Sequence, residues 1–323
     1  MPEGPEIRRE ADAIAAAIVG REIESLTFGL PRLKPLGKRL RGARIESVFP
    51  HGKALLLRFD NGLTLYTHNQ LFGRWYVVGS GERPRTNRTL RVAIETDAHA
   101  ALLYSASQIA LLDDGEIARH PYLSKLGPDL LDPALKDRVL ARRLTDPRYR
   151  TKRLGAPLLD QSFVAGSGNY LRSEILFEVK LHPMRRADSL DARERLAFAR
   201  AALRIGQRAY TQEGATNDPR VIARLQKLAK KRRSLRYAVY TREGQPCHRC
   251  GAEIVREVVT GRRFFRCPVC QPADRVGQTP ARLRDDARRV APGPISAART
   301  RPRLGGTESA RGAPRAHRRK ASS

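Results

Sequence analysis

Cysteine is scarce in this sequence, and the few cysteines lie close together. Four occur in 323 residues, all of them between Cys247 and Cys270. This cluster does not suit the disulfide framework of a small secreted domain, and it favours a metal site in a reducing compartment. Long apolar runs are also missing, since the alanine-rich stretch 11–18 is short and contains Asp12. The sequence therefore predicts no membrane span. It also predicts a cytoplasmic protein, because the N-terminus lacks the basic-then-apolar order of a signal peptide.

Acidic residues are few relative to basic ones. The chain has 33 Asp or Glu and 62 Lys or Arg, which gives a formal net charge of +29. Each Lys or Arg that neutralises a phosphate releases counterions, so a surplus of this size favours a nucleic acid as the partner. A ribosomal or chromatin protein, or a protein bound to an anionic membrane surface, are the alternatives that composition leaves open.

Hydrophobic patterning indicates a β-rich first part of the chain. Apolar positions at helical spacing predict a helix from about Glu6 to Val19, which Gly20 closes. Strand-like segments separated by turn signals follow: ARIESVFP, KALLLRFD, LTLYTHN, RWYVVG, LRVAIET and AALLYSA. This pattern predicts an antiparallel β-sandwich or barrel.

The next part of the chain is predicted to be helical, from about Pro133 to Gln212. The helical segments are PALKDRVLARRL, APLLDQSF, NYLRSEILFEV and a long stretch from Leu190. Asp191 and Glu194 have the spacing of an N-terminal capping box. A second folded unit is therefore expected after the β-rich one.

The C-terminal region combines a compact cysteine-bearing unit with basic segments. Residues 213–236 are strongly basic, and the last fifty or so residues are rich in Arg, Pro, Ala, Gly and Ser. A segment with so few large apolar residues cannot offset its ordering entropy, so it is predicted to be a disordered tail that adds DNA attraction or only solubility. The expected segments are a β domain at 1–127, a helical domain with a basic insertion at 128–236, a finger at 237–271 and the tail at 272–323.

The strongest local motif is a pair of C-x2-C turns formed by Cys247, Cys250, Cys267 and Cys270. Four thiolates in a tetrahedron suit Zn²⁺, and a site with four protein ligands is structural, not catalytic. Two redox dithiols or an iron–sulfur cluster are the alternatives. His248 lies inside the first turn, but the four cysteines already complete the ligand set.

A hairpin is predicted between the two cysteine pairs. Thr260 and Gly261 separate two β-prone segments within EIVREVVTGRRFFRC, so Arg262 and Arg263 are expected at or just beyond the tip. Arginines on a metal-stiffened hairpin suit a phosphate contact. A merely solvated turn has the same spacing, and the spacing does not decide between the two.

The N-terminus supplies a candidate nucleophile. Pro2 is a small second residue, which commonly permits removal of Met1 and would expose a secondary amine. Such an amine can attack a sugar aldehyde carbon and form an iminium ion. Glu3 follows directly and Glu6 lies one helical turn on, so a carboxylate is available to move protons. Many proteins begin Met-Pro, and the pattern gains meaning only beside the other motifs.

A glycine-rich motif, AGSGNYLRSEIL, occupies residues 165–176. Gly166 and Gly168 allow the backbone to approach a ligand closely, and Asn169 opens an expected helix. The backbone N–H groups at such a helix start bind phosphate. A glycine-rich turn with an asparagine cap is the alternative.

Together these motifs resemble the formamidopyrimidine-DNA glycosylase/endonuclease VIII family, and within it the bacterial endonuclease VIII branch. The resemblance covers roughly residues 2–271. The segments that carry it, besides the cysteine-bearing finger, are PEGPEIRR at 2–9, HGKALL at 51–56, LYTHNQLFGRW at 65–75, YSAS at 104–107 and LLDQSFVAGSGNYLRSEIL at 158–176. It implies a multidomain α+β protein: an N-terminal antiparallel β-sandwich with an N-terminal helix, a helix-two-turn-helix domain and a zinc ribbon, with DNA in the cleft between them.

The resemblance also implies the chemistry. Pro2 matches the nucleophile that attacks C1′ of the damaged nucleotide, and Glu3 matches the acid/base that protonates the sugar. The Schiff base then undergoes β- and δ-elimination. Lys53, Asn169 and Arg262 match residues that bind phosphates. The chain is thus expected to be a bifunctional DNA glycosylase and lyase of base excision repair that contains structural zinc, acts as a monomer on damaged double-stranded DNA and is associated with the bacterial nucleoid.

A further match concerns the space left by the damaged base. A base inside a duplex must be extruded before it can react. Gln70, Leu71 and Phe72 match the loop that fills the resulting gap in the family. Without the resemblance, Leu71 and Phe72 would be interpreted as ordinary strand core.

Two departures from the family pattern affect the expected substrate. The region between Tyr210 and the first cysteine contains the basic run LQKLAKKRRSLR, and the C-terminal tail is extra. In the family, the region between Tyr210 and the first cysteine helps to surround the extruded base, so the preferred lesion stays open. Oxidised pyrimidines are favoured. A purine-preferring enzyme for formamidopyrimidine or 8-oxoguanine, and a non-catalytic damaged-DNA-binding protein, are the alternatives.

Overall fold

The computed structural model describes residues 2–228 and 235–273. Met1, whose removal is predicted above, lies outside this part of the chain. The same holds for residues 229–234 of the basic insertion and for residues 274–323 of the predicted tail. Within the described part, no helix combines the length and the apolar character that crossing a bilayer requires.

The first helix, α1, spans Gly4–Ile18 and forms the centre of the N-terminal domain. Its first turn is stabilised by a capping interaction, because the backbone N–H of Glu3 donates to Oε2 of Glu6 at 3.0 Å. Gly20 follows the helix end with a φ of +79°, the left-handed conformation typical of a helix C-terminus. The buried face of α1 packs into a core to which both sheets contribute.

Eight strands form a sandwich of two four-stranded antiparallel sheets, in the orders β1-β6-β7-β5 and β2-β3-β4-β8. The strands are β1 Ser25–Phe28, β2 Ile45–His51, β3 Ala54–Phe59, β4 Thr64–His68, β5 Arg74–Gly79, β6 Leu90–Glu95, β7 His99–Tyr104 and β8 Gln108–Leu112. The six predicted segments correspond to β2 through β7. β1 and β8 were not predicted. A long 3-10 helix, Pro31–Leu40, separates β1 from β2.

The helical domain has a core of its own. Its α-helices are α3 Asp137–Arg143, α4 Asn169–Glu178, α5 Ala192–Thr211 and α6 Pro219–Lys227, whereas the short helix α2 Asp114–Arg119 follows β8 and packs against the sandwich. The capping box of Asp191 and Glu194 is present at the start of α5. Two predicted helices are shorter than expected. Only the end of PALKDRVLARRL is helical, as α3, and APLLDQSF forms a single 3-10 turn at Pro157–Leu159, where Pro157 has no N–H to donate.

The finger contains the predicted hairpin. Strand β9 is Val255–Val259 and β10 is Arg262–Arg266, and they pair in antiparallel register. Thr260 and Gly261 make the turn with φ values of +52° and +71°, the conformation that a two-residue hairpin needs at both positions. Phe264 of β10 is fully buried in the core of the helical domain, so the hairpin is anchored to that domain.

Candidate active site

A cleft of about 610 Å³ lies where the β-sandwich, the helical domain and the finger meet. Its lining comes from all three units. Among the residues predicted for the site it includes Glu3, Lys53, Leu71, Asn169 and Arg262. Pro2 is half-buried and immediately precedes Glu3. The structure therefore brings together residues that are up to 259 positions apart in the sequence.

Glu3 occupies the buried end of this cleft. Its side chain is 4% exposed, and its carboxylate accepts hydrogen bonds from the backbone N–H groups of Tyr170 at 2.8 Å and Leu171 at 3.3 Å. These groups belong to the first turn of α4. Burial raises the pKa of Glu3 to about 7, although the nearby Lys53 ammonium and the two N–H groups act in the opposite direction. Glu3 can therefore hold or release a proton near neutral pH.

The glycine-rich motif gives Glu3 its position. The backbone N–H of Gly4 donates to the carbonyl of Gly166 at 2.7 Å. Gly166 has a φ of +89°, which glycine adopts without strain. A Cβ at Gly168 would lie 2.5 Å from Cδ of Glu3, closer than any real contact of that kind. These glycines thus leave room for the start of α1 and for the Glu3 carboxyl to pack against the start of α4.

Lys53 lies in the tight turn between β2 and β3. The N–H of Gly52 donates to Oδ2 of Asp129, at the start of the helical domain, at 2.8 Å, and the N–H of Lys53 donates to the hydroxyl of Tyr122, in the segment that precedes that domain, at 3.1 Å. Burial lowers the pKa of Lys53, Glu3 opposes this effect, and Arg262 adds to it. The ammonium group is therefore poor in water contacts and suited to binding an anion.

Gln70, Leu71 and Phe72 project from the loop that joins β4 to β5. The side chains of Leu71 and Phe72 are 62% and 67% exposed, so the interpretation of both as strand core is wrong. Gln70 has a φ of +49°, and its Oε1 accepts a hydrogen bond from Ser107 at 2.9 Å. Two large apolar side chains on a tight loop beside the cleft are unusual for a free surface.

Asn169 and Arg262 lie on opposite sides of a contact between α4 and the hairpin. The Asn169 side-chain amide donates to the carbonyl of Arg263 at 2.8 Å, and its Oδ1 accepts from Arg172 at 2.7 Å. Much of the hydrogen-bonding capacity of Asn169 is thus used inside the protein. Arg262 is exposed at the start of β10 and lines the cleft.

Comparison with known proteins agrees with this geometry. The model of the formamidopyrimidine-DNA glycosylase N-terminal domain matches residues 1–109, and the model of the H2TH domain of the same family matches residues 126–220. The chain belongs to the formamidopyrimidine-DNA glycosylase family. It is accordingly a DNA glycosylase and abasic-site lyase of base excision repair.

Relatives of the chain include two bacterial sequences. It is 44% identical over 271 residues to Endonuclease 8 of Escherichia coli (strain K12 / DH10B), an alignment that covers 84% of this chain and 100% of the relative. Identity to Endonuclease 8 of Enterobacter sp. (strain 638) is 43% with the same coverage.

One similar solved structure is wild-type Lactococcus lactis Fpg (MutM) in a complex with DNA that contains N7-benzyl-Fapy-dG. The TM-score is 0.69 at 25% identity, with 84% of this chain and 100% of that chain covered. The expected sandwich and helix-two-turn-helix domains are therefore confirmed as the fold of this glycosylase.

Sequence reasoning missed several residues of the glycosylase cleft. His68 lines it, and its Nδ1 accepts a hydrogen bond from the N–H of Gln70 at 3.1 Å. Burial, together with Lys53, lowers the pKa of His68 to about 4, so its ring is neutral at pH 7 and can donate from Nε2. The signal was present, because His68 stands inside the motif LYTHNQLFGRW.

Arg172 was also missed. It is fully buried, and it donates to the carbonyls of Gly155 and Val259 and to the hydroxyl of Thr260 at 3.0–3.2 Å. A buried guanidinium with neutral acceptors fixes the hairpin against α4. Arg172 also stands inside a segment that carries the resemblance, residues 158–176, but its charge alone does not distinguish it from the many arginines that face solvent.

The four cysteines of the glycosylase finger form one cluster. Their sulfur atoms lie within 4.8 Å of one another, and three of the Sγ–Sγ distances are 3.4, 3.6 and 3.9 Å. Zn–S bonds of about 2.3 Å place the corners of a tetrahedron about 3.8 Å apart. The cluster therefore fits a tetrahedral metal ion.

Proposed function

We propose that this glycosylase removes oxidised bases, pyrimidines in preference to purines, through a Schiff base on the N-terminal amine of Pro2. The observation that carries this proposal is the buried Glu3 carboxyl with a pKa of about 7, next to Pro2 and facing Lys53 in one cleft. The 44% identity to an Endonuclease 8 supports the assignment to that branch.

The proposed reaction begins at the sugar. The lone pair of the Pro2 nitrogen forms a bond with C1′ while the bond from C1′ to the base breaks. The base leaves with the electron pair of that bond and takes up the proton that the Pro2 nitrogen gives up. Glu3 in its acid form protonates the ring oxygen, so the sugar opens and an iminium ion forms. Loss of a C2′ proton then expels the 3′ phosphate, and a second elimination expels the 5′ phosphate.

The proposed DNA contacts surround this centre. Lys53, Asn169 and Arg262 bind phosphates beside the extruded nucleotide, and the neutral ring of His68 is placed to donate a further hydrogen bond. Leu71 and Phe72 enter the stack where the base was, because their exposed apolar surface gains from contact with the neighbouring bases.

The finger is proposed to hold Zn²⁺ through Cys247, Cys250, Cys267 and Cys270. A tetrahedral site with four protein ligands leaves no open position for substrate, so the metal stabilises the finger and takes no part in the reaction. Its function is to keep the β9–β10 hairpin, and with it Arg262, at the edge of the cleft.

Borohydride trapping on a duplex with one abasic site tests the proposed nucleophile. We expect a covalent protein–DNA adduct that maps to Pro2. The matched control is protein that retains Met1, because an amide nitrogen has no nucleophilic lone pair. Glu3→Gln is expected to bind DNA and to lose base excision. An adduct at an internal lysine, or no adduct from metal-loaded protein that binds DNA, contradicts the proposal, and the latter result supports the non-catalytic alternative.

A purine-preferring enzyme is the second candidate. One structure similar to this chain is an Fpg complex with DNA that contains N7-benzyl-Fapy-dG, and the basic sequence of residues 213–236 departs from the family pattern. Single-turnover excision of thymine glycol and of 8-oxoguanine opposite cytosine separates the candidates. We expect faster removal of thymine glycol, and the reverse order overturns the pyrimidine assignment.

A further inference from the structure

The loop Asn69–Gly73 is closed by Asn69. Its carbonyl accepts a hydrogen bond from the N–H of Gly73 at 2.7 Å, and a Cβ at Gly73 would lie 2.6 Å from Cα of Asn69. Asn69 itself is 3% exposed. The position of Leu71 and Phe72 at the loop tip therefore depends on how Asn69 is held.

Asn69 is held by Glu10. The side-chain amide of Asn69 donates to Oε2 of Glu10 at 2.6 Å, which is short for such a bond. Glu10 lies on α1, seven residues or about two helical turns after Glu3. One helix therefore carries Glu3 at its start and the contact to the loop two turns later.

The surroundings of Glu10 make its ionised side chain costly in desolvation free energy, which suggests that the residue has a function. It is half-buried, and burial raises its pKa to about 7, with Glu6 acting in the same direction and Asn69 and Arg74 opposing it. A neutral apolar side chain would avoid this desolvation cost. Neither the proposed nucleophile nor the proposed phosphate contacts use Glu10.

We propose that Glu10 is a positioning residue that fixes the 69–73 loop, through Asn69, relative to the helix that bears Pro2 and Glu3. The loop and the nucleophile then enter the DNA as one rigid body. This inference rests on the proposed function, since it requires Leu71 and Phe72 to replace the extruded base in the stack.

The test compares two substrates. Extrusion is costly for a stacked base and cheaper at an abasic site, which has no base to unstack. Glu10→Ala is expected to slow single-turnover excision of thymine glycol about 10-fold and to change cleavage at a preformed abasic site less than about 3-fold. Glu10→Gln should restore most of the excision rate, because its carbonyl oxygen can accept the same hydrogen bond. Glu22→Ala, which removes an exposed partner of Arg44, is the matched control.

A double-mutant cycle separates positioning from general destabilisation. If Glu10 acts through the loop, Glu10→Ala should hardly change the excision rate of a protein that already carries Leu71→Ala and Phe72→Ala. A merely structural effect of Glu10→Ala would instead lower that rate further, by the same factor as in the wild type. Additive effects, or equal losses on both substrates, overturn the proposal. If the Leu71→Ala/Phe72→Ala variant loses the same factor in rate on thymine glycol and on the abasic site, the proposed insertion of the loop into the base stack is refuted. If the loop variant is slower mainly on thymine glycol but Glu10→Ala is not, only the inference about Glu10 is refuted.

Discussion

At the scale of single residues, the Glu3 carboxyl combines burial with two hydrogen bonds from the start of α4. These bonds stabilise its charged form, yet burial is the larger effect and its pKa lies near 7. A carboxyl so placed is a proton donor of suitable strength near neutral pH. The same burial works against folding, because the ionised group is better solvated in the unfolded chain.

Glu3→Gln should therefore stabilise the protein in a pH-dependent way. Between the ordinary value of 4.5 and the folded value of about 7, the folded state retains a proton that the unfolded state releases. The stabilisation that this retained proton gives to the folded wild-type protein is therefore lost as pH rises through that range, and the free energy of unfolding falls. The variant should gain up to roughly 3 kcal/mol over wild type at pH 8 and almost nothing at pH 4.5.

Urea unfolding of the metal-loaded protein at both pH values measures this difference. Glu22→Gln, which alters an exposed carboxylate, should show no such dependence on pH. A Glu3→Gln variant that is less stable than wild type at pH 8 would contradict the buried-carboxyl account.

At the scale of elements, the junction of α1 with α4 depends on the absence of one side chain. Gly168 has a φ of −149°, outside the left-handed region that favours glycine. The added Cβ would instead meet the Glu3 carboxyl at 2.5 Å. The steric requirement at Gly168 is thus specific to the site.

Gly168→Ala is expected to lower base excision on the order of 100-fold, the loss that a displacement of about 1 Å can cause. DNA binding should change little, and the melting temperature should fall by a few degrees, because the added methyl group overpacks a buried contact. The control is Gly37→Ala, where the nearest atom to the new Cβ is the Leu26 carbonyl oxygen at 3.7 Å. Single-turnover kinetics would refute the steric account if Gly168→Ala retained wild-type excision.

Metal removal should affect the finger more than the sandwich. Arg172 and the helical core still contact the hairpin, but the two cysteine turns that flank it lose the ion that organises them, so Arg262 is held less firmly at the cleft. We expect one zinc per chain, faster proteolysis within residues 237–273 after chelation, and DNA affinity weakened roughly 10-fold, the loss of one charge-assisted hydrogen bond. Cys250→Ser should mimic chelation. Unchanged affinity in fully metal-free protein would contradict the proposed function of the finger.

The elements differ in how well the sequence predicts them. Strands β2 to β7 follow from alternating apolar residues between turn signals, whereas β1 is short and largely exposed and shows no comparable pattern. Helix α5 follows from its capping box. Helix α6 lies in a basic segment, and only Leu225 of it is buried. Its apolar residues Val221, Ile222 and Leu225 do have helical spacing, so the signal for this helix was present and was passed over because of the surrounding charge.

The site is less predictable than the fold. Lys53 was identified by resemblance alone. The local motifs of Asn169 and Arg262 suggested phosphate contacts but left a capped turn and a solvated turn as alternatives, because no local pattern reports a contact between residues so far apart. Arg172 and Glu10 were missed for a physical reason: a charged residue on a helix is usually solvated. Only the tertiary structure shows that these two are partly or fully enclosed.

At the scale of the whole molecule, the large positive net charge is the property that most affects binding to DNA. Positions 274–323 have 13 Lys or Arg and 4 Asp or Glu, a net charge of +9 out of +29. Because this charge is spread along the segment, it is expected to add attraction to any DNA, damaged or intact.

Deletion of residues 274–323 should weaken binding to undamaged duplex and make the dependence of log K on log salt concentration shallower. Each phosphate that the tail no longer neutralises changes that slope by about 0.9. The single-turnover excision rate at saturating protein should not change. Replacing the tail arginines with glutamine keeps the length and should reproduce the deletion. An unaltered slope would mean that the tail contributes only solubility.

The contact between Glu3 and α4 has one more consequence. Its carboxyl belongs to the N-terminal domain, but the N–H groups that enclose it belong to the helical domain. Parting of the two domains would return the carboxyl to water and to the acidity of an ordinary glutamate, which is ionised at neutral pH. Glu3 would then keep its reactive proton only while the two domains are in contact. The enzyme would therefore be able to donate that proton only in its closed, two-domain arrangement.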